Sequence, residues 1–152
     1  MPIPTANPVV DGLGTLLADS YALMAQTHLA HWNVEGPDFF QLHTAFQAQY
    51  EELFTAVDEI AERVRALGAY APGGLATLAA YSEIEELGVE SLSAPRFVEH
   101  LAGGHELLVR HAASLRDAAE EARDHETQDL VIARIQVHQK TLWMLRSFLR
   151  GS

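Results

Sequence analysis

Four long segments with helical periodicity constrain the fold of this chain more than any other feature of its sequence. Apolar residues recur every three or four positions over about residues 9–33, 37–67, 95–122 and 126–149. Pro37 is predicted to be the first residue of the second helix. No stretch shows the alternation of polar and apolar residues that is typical of a strand. Because another element must cover an apolar stripe on a helix, the pattern predicts an all-α fold.

The connections between these segments predict how the helices are arranged. The first segment joins the second, and the third joins the fourth, through turns so short that the joined helices must be antiparallel neighbours. The connection from Gly68 to Ala94 is much longer and holds Ala71-Pro-Gly-Gly74 and a weak helical stretch at Leu75–Tyr81. The sequence therefore predicts one domain over residues 1–152, a ferritin-like four-helix bundle with a long crossover that contains a short helix.

Cysteine content and apolar patterning exclude several classes of protein. The sequence contains no cysteine, which excludes a disulfide scaffold, a Cys-ligated zinc or iron–sulfur site and a cysteine nucleophile. Polar residues interrupt every apolar run, so no segment can span a bilayer and no membrane partner is expected. Residues 1–8 lack the basic and apolar regions of a signal peptide. We therefore expect a soluble, cytoplasmic protein.

The charge balance argues against an anionic partner. The chain has 10 Lys and Arg residues against 21 Asp and Glu residues, and its formal net charge is -11. Binding to nucleic acid depends mainly on basic side chains that neutralise phosphates, and the only lysine here is Lys140. Eight histidines in an acidic chain instead favour transition-metal binding, since imidazole and carboxylate together hold such ions.

Candidate metal ligands flank the apolar stripe of the second segment. Five polar residues share a sector of about 100° on that helix: His43, Gln47, Glu51, Asp58 and Glu62. On its own, such a pattern is more typical of a solvated acidic face. However, His31 ends the first helix, and a short turn brings it level with His43. Two imidazoles with the carboxylates of Asp58 and Glu62 suit Fe(II), Mn(II) or Zn(II).

The spacing of these residues predicts a site shared between two chains. Asp58 follows His43 by 15 residues, which is about 22 Å of helix at 1.5 Å per residue. One chain cannot place both groups on one metal. Two copies of the second helix that cross antiparallel near residue 52 would bring the histidines of one chain to the carboxylates of the other, twice per dimer. The chain has no Glu-x-x-His motif, which the usual di-iron site inside a single bundle requires.

One long run of residues resembles a known family. His31-Trp-Asn-Val-Glu-Gly-Pro-Asp-Phe-Phe-Gln-Leu-His43, followed by Asp58-Glu-Ile-Ala-Glu-Arg63, is similar to the motif of the Dps proteins, the mini-ferritins named for DNA protection during starvation. The resemblance extends to the crossover and to His138-Gln-Lys-Thr-Leu-Trp-Met-Leu-Arg146, so it covers nearly the whole chain.

The resemblance implies a hollow cage of 12 subunits with ferroxidase sites at its two-fold interfaces. It implies that His31 and His43 come from one subunit and that Asp58 and Glu62 come from its mate. Such a cage oxidises Fe(II), preferably with hydrogen peroxide rather than O2, and stores Fe(III) inside its shell. Iron is thus the implied metal, with other divalent ions such as Zn(II) as possible occupants of the same site.

This chain departs from the family at Gln47, where many members have an aspartate. A neutral amide is a weaker ligand for Fe(III) than a carboxylate, so we expect one good metal position and a weaker second one. Glu51, one turn further, either compensates for the missing carboxylate or forms a surface salt bridge, and the salt bridge is the expected role. Trp32 is interpreted either as an interface aromatic or as an indole that quenches stray radicals beside the site.

Two acidic residues near the start of the last helix allow two interpretations. Near the N-terminus of a helix, the negative charges of Asp124 and Asp129 interact favourably with the helix dipole. They also resemble the acidic lining of the three-fold pores of Dps cages, where three copies of each would attract Fe(II).

Two other functions stay open at this level. The first is a metal-binding cage whose ferroxidase activity is weak because of Gln47. The second is a nucleoid DNA-binding protein, which the acidic charge and the lack of a basic tail in residues 1–8 disfavour. An electrophoretic shift of plasmid DNA at low salt would distinguish the DNA-binding function from the others.

Overall fold

The computed structural model describes residues 4–151, and all of its regular structure is helical. Its five helices are α1 (Pro8–Asn33), α2 (Phe39–Ala66), α3 (Leu75–Tyr81), α4 (Ala94–Glu121) and α5 (His125–Arg150). No strand occurs within the described residues. The predicted all-α bundle, with its short helix in the crossover, is confirmed. Residues 1–3, on which part of the signal-peptide expectation rests, lie outside the described residues.

Side-chain caps define where three of the helices begin. The Oδ1 atom of Asn7 accepts hydrogen bonds from the amides of Val9 (3.0 Å) and Val10 (3.3 Å) at the start of α1. Ser93 caps α4, and Asp124 caps α5. In each case a side-chain oxygen satisfies a backbone N–H that has no acceptor within the helix.

The start of α2 differs from the prediction. Pro37 was expected to be its first helical residue, but the helix begins at Phe39. Gly36 has a φ of 106°, which a glycine adopts without strain, and its carbonyl accepts a hydrogen bond from the amide of Phe39 at 3.1 Å. This turn occupies residues 36–38, so the proline lies in the turn instead of the helix.

The two hairpins pack along α1. The first hairpin consists of α1 and α2, the second of α4 and α5, and α1 also packs on α4. The apolar stripes meet in one core whose largest fully buried side chains include Phe46, Phe97, Leu13, Leu53 and Leu101. The crossover from α2 to α4 runs along α1 through α3.

A buried carboxylate holds one point of the crossover. Asp19 on α1 has no exposed surface. Its Oδ1 accepts hydrogen bonds from the Ser82 hydroxyl (3.0 Å) and from the Glu83 amide (2.9 Å). Its Oδ2 lies 2.5 Å from Nδ1 of His111 on α4. Three elements therefore meet at this one side chain.

A second buried acceptor holds the crossover two turns further along α1. The Oε1 atom of Gln26 accepts from the Leu87 amide at 2.8 Å and lies 2.9 Å from Nε2 of His100 on α4. Because an amide oxygen only accepts, His100 donates this hydrogen bond. Together with Asp19, Gln26 fixes residues 82–87 of the crossover against the first and fourth helices.

Replacing Asp19 with alanine is expected to destabilise the fold by about 3–5 kcal/mol, because it leaves the Ser82, Glu83 and His111 donors without their acceptor. Thermal unfolding should show this as a lowered Tm. Glu83→Ala is the matched control, since it removes a carboxylate that is 70% exposed from the same imidazole. That control should cost less than about 1 kcal/mol. Equal effects of the two variants would contradict the assigned role of Asp19.

Candidate metal centre

The turn between α1 and α2 brings two of the predicted ligands into contact. His31 lies in the last turn of α1 and is buried, while His43 lies in the second turn of α2 and is partly buried. Their rings stack with centroids 3.7 Å apart and planes inclined by 13°. A pair of parallel imidazoles at the end of the first hairpin is the central feature of this site.

Two reciprocal hydrogen bonds define the tautomer of each imidazole. Nδ1 of His31 lies 2.7 Å from the backbone oxygen of His43, and Nδ1 of His43 lies 2.8 Å from the backbone oxygen of His31. A carbonyl oxygen only accepts, so both Nδ1 atoms carry a proton. In the neutral form of this tautomer, the lone pair of each ring is on Nε2. This is the arrangement in which metal-binding histidines are commonly held, with the second ring nitrogen bonded to a carbonyl.

The predicted carboxylates form a separate pair. Asp58 and Glu62 are both exposed and lie one turn apart on α2. About 22 Å of helix separates Asp58 from His43, as the rise of 1.5 Å per residue requires. Within residues 4–151, no three or more His, Asp or Glu side chains are close enough to hold a metal ion. A single chain therefore presents the predicted histidine pair and the predicted carboxylate pair at a distance from each other.

Exposed apolar side chains lie beside the histidine pair and beside the carboxylate pair. A cleft of about 680 Å³ between α2 and the crossover includes Asp58, and its rim carries Phe54 and Leu75, which are 68% and 77% exposed. At the other end of α2, Phe40 and Trp32 are equally open to solvent. Phe54 and Phe40 therefore expose large apolar side chains at two points of α2.

Gln47 lies one turn after His43, on the exposed side of α2. Its Nε2 atom donates a hydrogen bond of 2.9 Å to Oε1 of Glu51. The salt bridge expected for Glu51 is not found among the described residues, because the chain provides an amide donor, not a cation, at this spacing.

Further aromatic residues extend from the histidine pair to the surface. Tyr50 packs edge-on against His31 with centroids 5.2 Å apart, and His28 lies 4.2 Å from Tyr50. Trp32 stacks on His28 at 5.2 Å. Burial and the neighbouring His31 lower the pKa of His28. Tyr50 was missed in the sequence, although its position seven residues after His43 places it on the same helix face.

The structure gives Asp124 a local role at the start of α5. Its carboxylate accepts hydrogen bonds from the amide and hydroxyl of Thr127, at 3.0 and 2.6 Å, and from Arg63 at 2.9 Å. Partial burial opposes ionisation, but these hydrogen bonds and the charge of Arg63 outweigh it and lower the pKa of Asp124. Asp129 is exposed on the next turn. Arg63 was not singled out in the sequence, and only the fold brings it to Asp124.

A second set of polar side chains links three buried residues, Arg134, His138 and His105, to the partly exposed Glu52. Arg134 donates to both carboxylate oxygens of Glu52, at 2.5 and 2.8 Å, and to Nε2 of His138 at 3.1 Å. Since a guanidinium only donates, His138 carries its proton on Nδ1 and donates it to Nδ1 of His105 at 2.9 Å.

Both of these histidines are held neutral. Burial lowers the pKa of His105 to about 3, and the charge of Arg134 acts in the same direction. Burial also lowers the pKa of His138 well below its usual value, as do His105 and Arg134. The Nε2 atom of His105 has no hydrogen-bond partner among the described residues.

Comparison with known proteins agrees with the topology. Residues 10–151 match the family described as Ferritin-like domain. Of the helices in residues 4–151, none combines the length and apolar character that crossing a membrane requires. The family match and the fold together define the class of protein as a ferritin-like bundle.

Individual relatives define the family more narrowly. The chain is 34% identical to DNA protection during starvation protein 2 of Bacillus anthracis, over 93% of this chain and 96% of the relative. It is 31% identical to Dps from Staphylococcus aureus, with a TM-score of 0.90 over 95% of this chain and 98% of that one. Dps from Vibrio cholerae O1, described as a member of a broad superfamily of ferritin-like diiron-carboxylate proteins, is 26% identical, with a TM-score of 0.89 over 97% and 99% of the two chains.

The chain belongs to the Dps family of the ferritin-like superfamily. Membership in this family supports a mini-ferritin role in iron binding and storage.

Proposed function

We propose that this protein binds Fe(II) between pairs of subunits, oxidises it with hydrogen peroxide and stores the Fe(III) inside a hollow cage of 12 chains. In each site, His31 and His43 of one subunit act together with Asp58 and Glu62 of its mate. Consumption of iron and peroxide together would limit oxidative damage in the cytoplasm. O2 is the slower alternative oxidant in this proposal.

The observation that carries the proposal is the reciprocal bonding of the two histidines. Both rings direct their protonated Nδ1 atoms to backbone oxygens, so that both Nε2 lone pairs stay free. Packing alone does not require this tautomer. Neutral imidazoles with free Nε2 atoms are the form that binds transition metals.

The histidine pair and the carboxylate pair are the two half-sites of this proposal, and their separation within one chain supports the contribution of ligands by a second chain. Two imidazoles without a carboxylate leave most of the coordination sphere and the charge of Fe(II) unsatisfied. A second copy of α2, related by a two-fold axis, would supply Asp58 and Glu62 and would cover the apolar rim formed by Phe54 and Leu75.

The chemistry follows from the donor set. Hydrogen peroxide accepts one electron from each of two Fe(II) ions, together with two protons, and its O–O bond breaks to give two molecules of water. The carboxylates of Asp58 and Glu62 stabilise the higher charge of the Fe(III) that forms. The neutral histidines bind Fe(II) without adding charge, which lets the ferric product leave for the interior.

Other residues have accessory roles in the proposal. Trp32 and the aromatic residues between it and His31 can supply an electron to a stray oxidant. Asp129, with Asp124 next to it, would line the three-fold pores and attract Fe(II) electrostatically. Zn(II) would compete for the same ligands. A metal-binding cage with weak ferroxidase activity is the alternative that Gln47 favours, whereas the charge of -11 disfavours DNA binding.

The proposal predicts a large oligomer that oxidises Fe(II). Size-exclusion chromatography with light scattering should report about 12 chains, by analogy with the family, because the half-sites of one chain are incomplete. The assembled protein should oxidise Fe(II) faster with hydrogen peroxide than with O2. A stable monomer would contradict the shared site, and a cage that binds Zn(II) without oxidising Fe(II) would establish the alternative.

A further inference from the structure

Glu51 lies one turn beyond Gln47, and the proposed reaction does not yet use it. Both side chains are exposed on α2, on the side that carries His43. Among the described residues, the side chains of Gln47 and Glu51 form no hydrogen bond other than the one between them. It therefore defines the conformation of the amide at the position where this chain departs from its family.

The bond determines which end of the amide faces Glu51. A carboxylate only accepts hydrogen bonds, so the amide must turn its Nε2 atom towards Glu51. The carbonyl Oε1 then points away from Glu51, and it is the only atom of Gln47 that can bind a cation. An unrestrained amide would present its donor end to the metal position for part of the time.

We propose that Glu51 is a positioning residue that holds Gln47 with its Oε1 towards the metal position beside His43. This inference rests on the proposed function of the same site. Glu51 also places a negative charge one turn from that position, which partly replaces the charge that a carboxylate at residue 47 would bring. The second metal position then has a neutral oxygen ligand that is oriented by a carboxylate.

This arrangement has a consequence for metal preference. An amide oxygen binds divalent cations but stabilises Fe(III) much less than a carboxylate ligand does, because it has no formal charge. The second position should therefore bind Fe(II) or Zn(II) and release the ferric product readily.

Metal titration of the assembled protein tests the inference without relying on activity. Zn(II) is redox-inert, so calorimetry can separate a tighter and a weaker class of binding. Glu51→Ala is expected to weaken the weaker class about 10-fold, the effect typical of losing a residue that orients a metal ligand. Gln47→Ala should weaken it as much, and the double variant should lose little more, since both changes remove one unit.

Two further variants separate orientation from charge. Glu51→Gln keeps an acceptor for the Gln47 amide but has no charge, so it should retain part of the affinity that Glu51→Ala loses. Glu99→Ala removes an exposed carboxylate from α4 and is the control for net charge. It should leave both classes of binding unchanged.

Gln47→Asp supplies the sharpest comparison. An aspartate cannot donate to Glu51, so Glu51 would have no positioning role in that background. Gln47→Asp should tighten the weaker class, and adding Glu51→Ala should then have several-fold less effect than it has in the native chain. Equal losses in the two backgrounds would overturn the inference.

The titration also distinguishes this inference from the proposed function. If the tighter class is present and Glu51→Ala leaves the weaker class unchanged, Glu51 has no positioning role and its bond to Gln47 only stabilises the helix. If the native protein has no tighter class at all, the proposed site itself is wrong.

Discussion

Replacing Asp58 and Glu62 with alanine is expected to abolish rapid oxidation of Fe(II) by hydrogen peroxide. The change removes the anionic half of every proposed site, and the histidines alone cannot stabilise Fe(III). Both side chains are exposed beside the apolar core, so the fold should be retained. Stopped-flow absorbance would measure the oxidation, and circular dichroism and light scattering would verify the fold and the cage. A double variant of Glu99 and Glu120, two exposed carboxylates on α4, is the matched control.

Subunit mixing gives the more decisive form of this experiment. A chain with His31→Ala and His43→Ala should be inactive, and so should a chain with Asp58→Ala and Glu62→Ala. A hybrid dimer of the two has one site without any ligand and one site with all of them, provided that each site is shared between chains. Hybrid cages should therefore regain activity that neither parent has. No recovery after verified mixing would mean that each site is built within one chain.

Acid is expected to destabilise the fold strongly, through the buried histidines at the bundle centre. The folded state lowers the pKa of His105 from 6.5 to about 3, so the unfolded chain takes up this proton first as the pH falls. The contribution of His105 is fully present above pH 6.5, declines below it and is lost at about pH 3. At about 1.4 kcal/mol per pKa unit, it amounts to about 5 kcal/mol.

Burial of His105 is the main reason for this size, and the charge of Arg134 adds to it. One proton cannot be added to either ring without placing a second buried cation next to the guanidinium. Denaturant unfolding at steps of pH should therefore give a steeply falling free energy of unfolding between pH 6.5 and 3.

Substitution of both buried histidines should flatten this pH dependence. A His105→Leu/His138→Leu variant has lost both imidazoles whose pKa is lowered at the bundle centre, while Arg134 keeps both of its bonds to Glu52. His125→Gln, at an exposed position at the start of α5, is the control and should keep the slope of the native protein. An unchanged slope in the double variant would show that the acid sensitivity arises elsewhere.

The helices could be predicted because their signals are local. Apolar residues at helical spacing, capping side chains and glycines lie within each segment, so the pattern alone predicted the bundle and the short helix at Leu75–Tyr81. The prediction for the start of α2 was wrong. The Phe39 amide donates a hydrogen bond to the Gly36 carbonyl, and this single turn decides whether Pro37 lies in the helix. A proline is compatible with both arrangements.

The candidate site shows the same division between local and distant signals. The candidate ligands and the proposal of a site shared with a second chain came from residue types and from helical rise, since His43 and Asp58 lie on one helix. The hydrogen bond between Gln47 and Glu51 was within reach of the same reasoning, because residues four apart on a helix are neighbours.

Only the tertiary structure determined which ring nitrogens of the histidines carry a proton and which partners the buried polar side chains have. The reciprocal bonds of His31 and His43 depend on how the turn aligns two backbones. Glu52 and Arg134 are 82 residues apart, and His105 and His138 are 33 residues apart. No periodicity within a segment indicates such pairs. They arise because helix packing removes water from Arg134, His105 and His138, and these buried side chains then bond to partners on other helices.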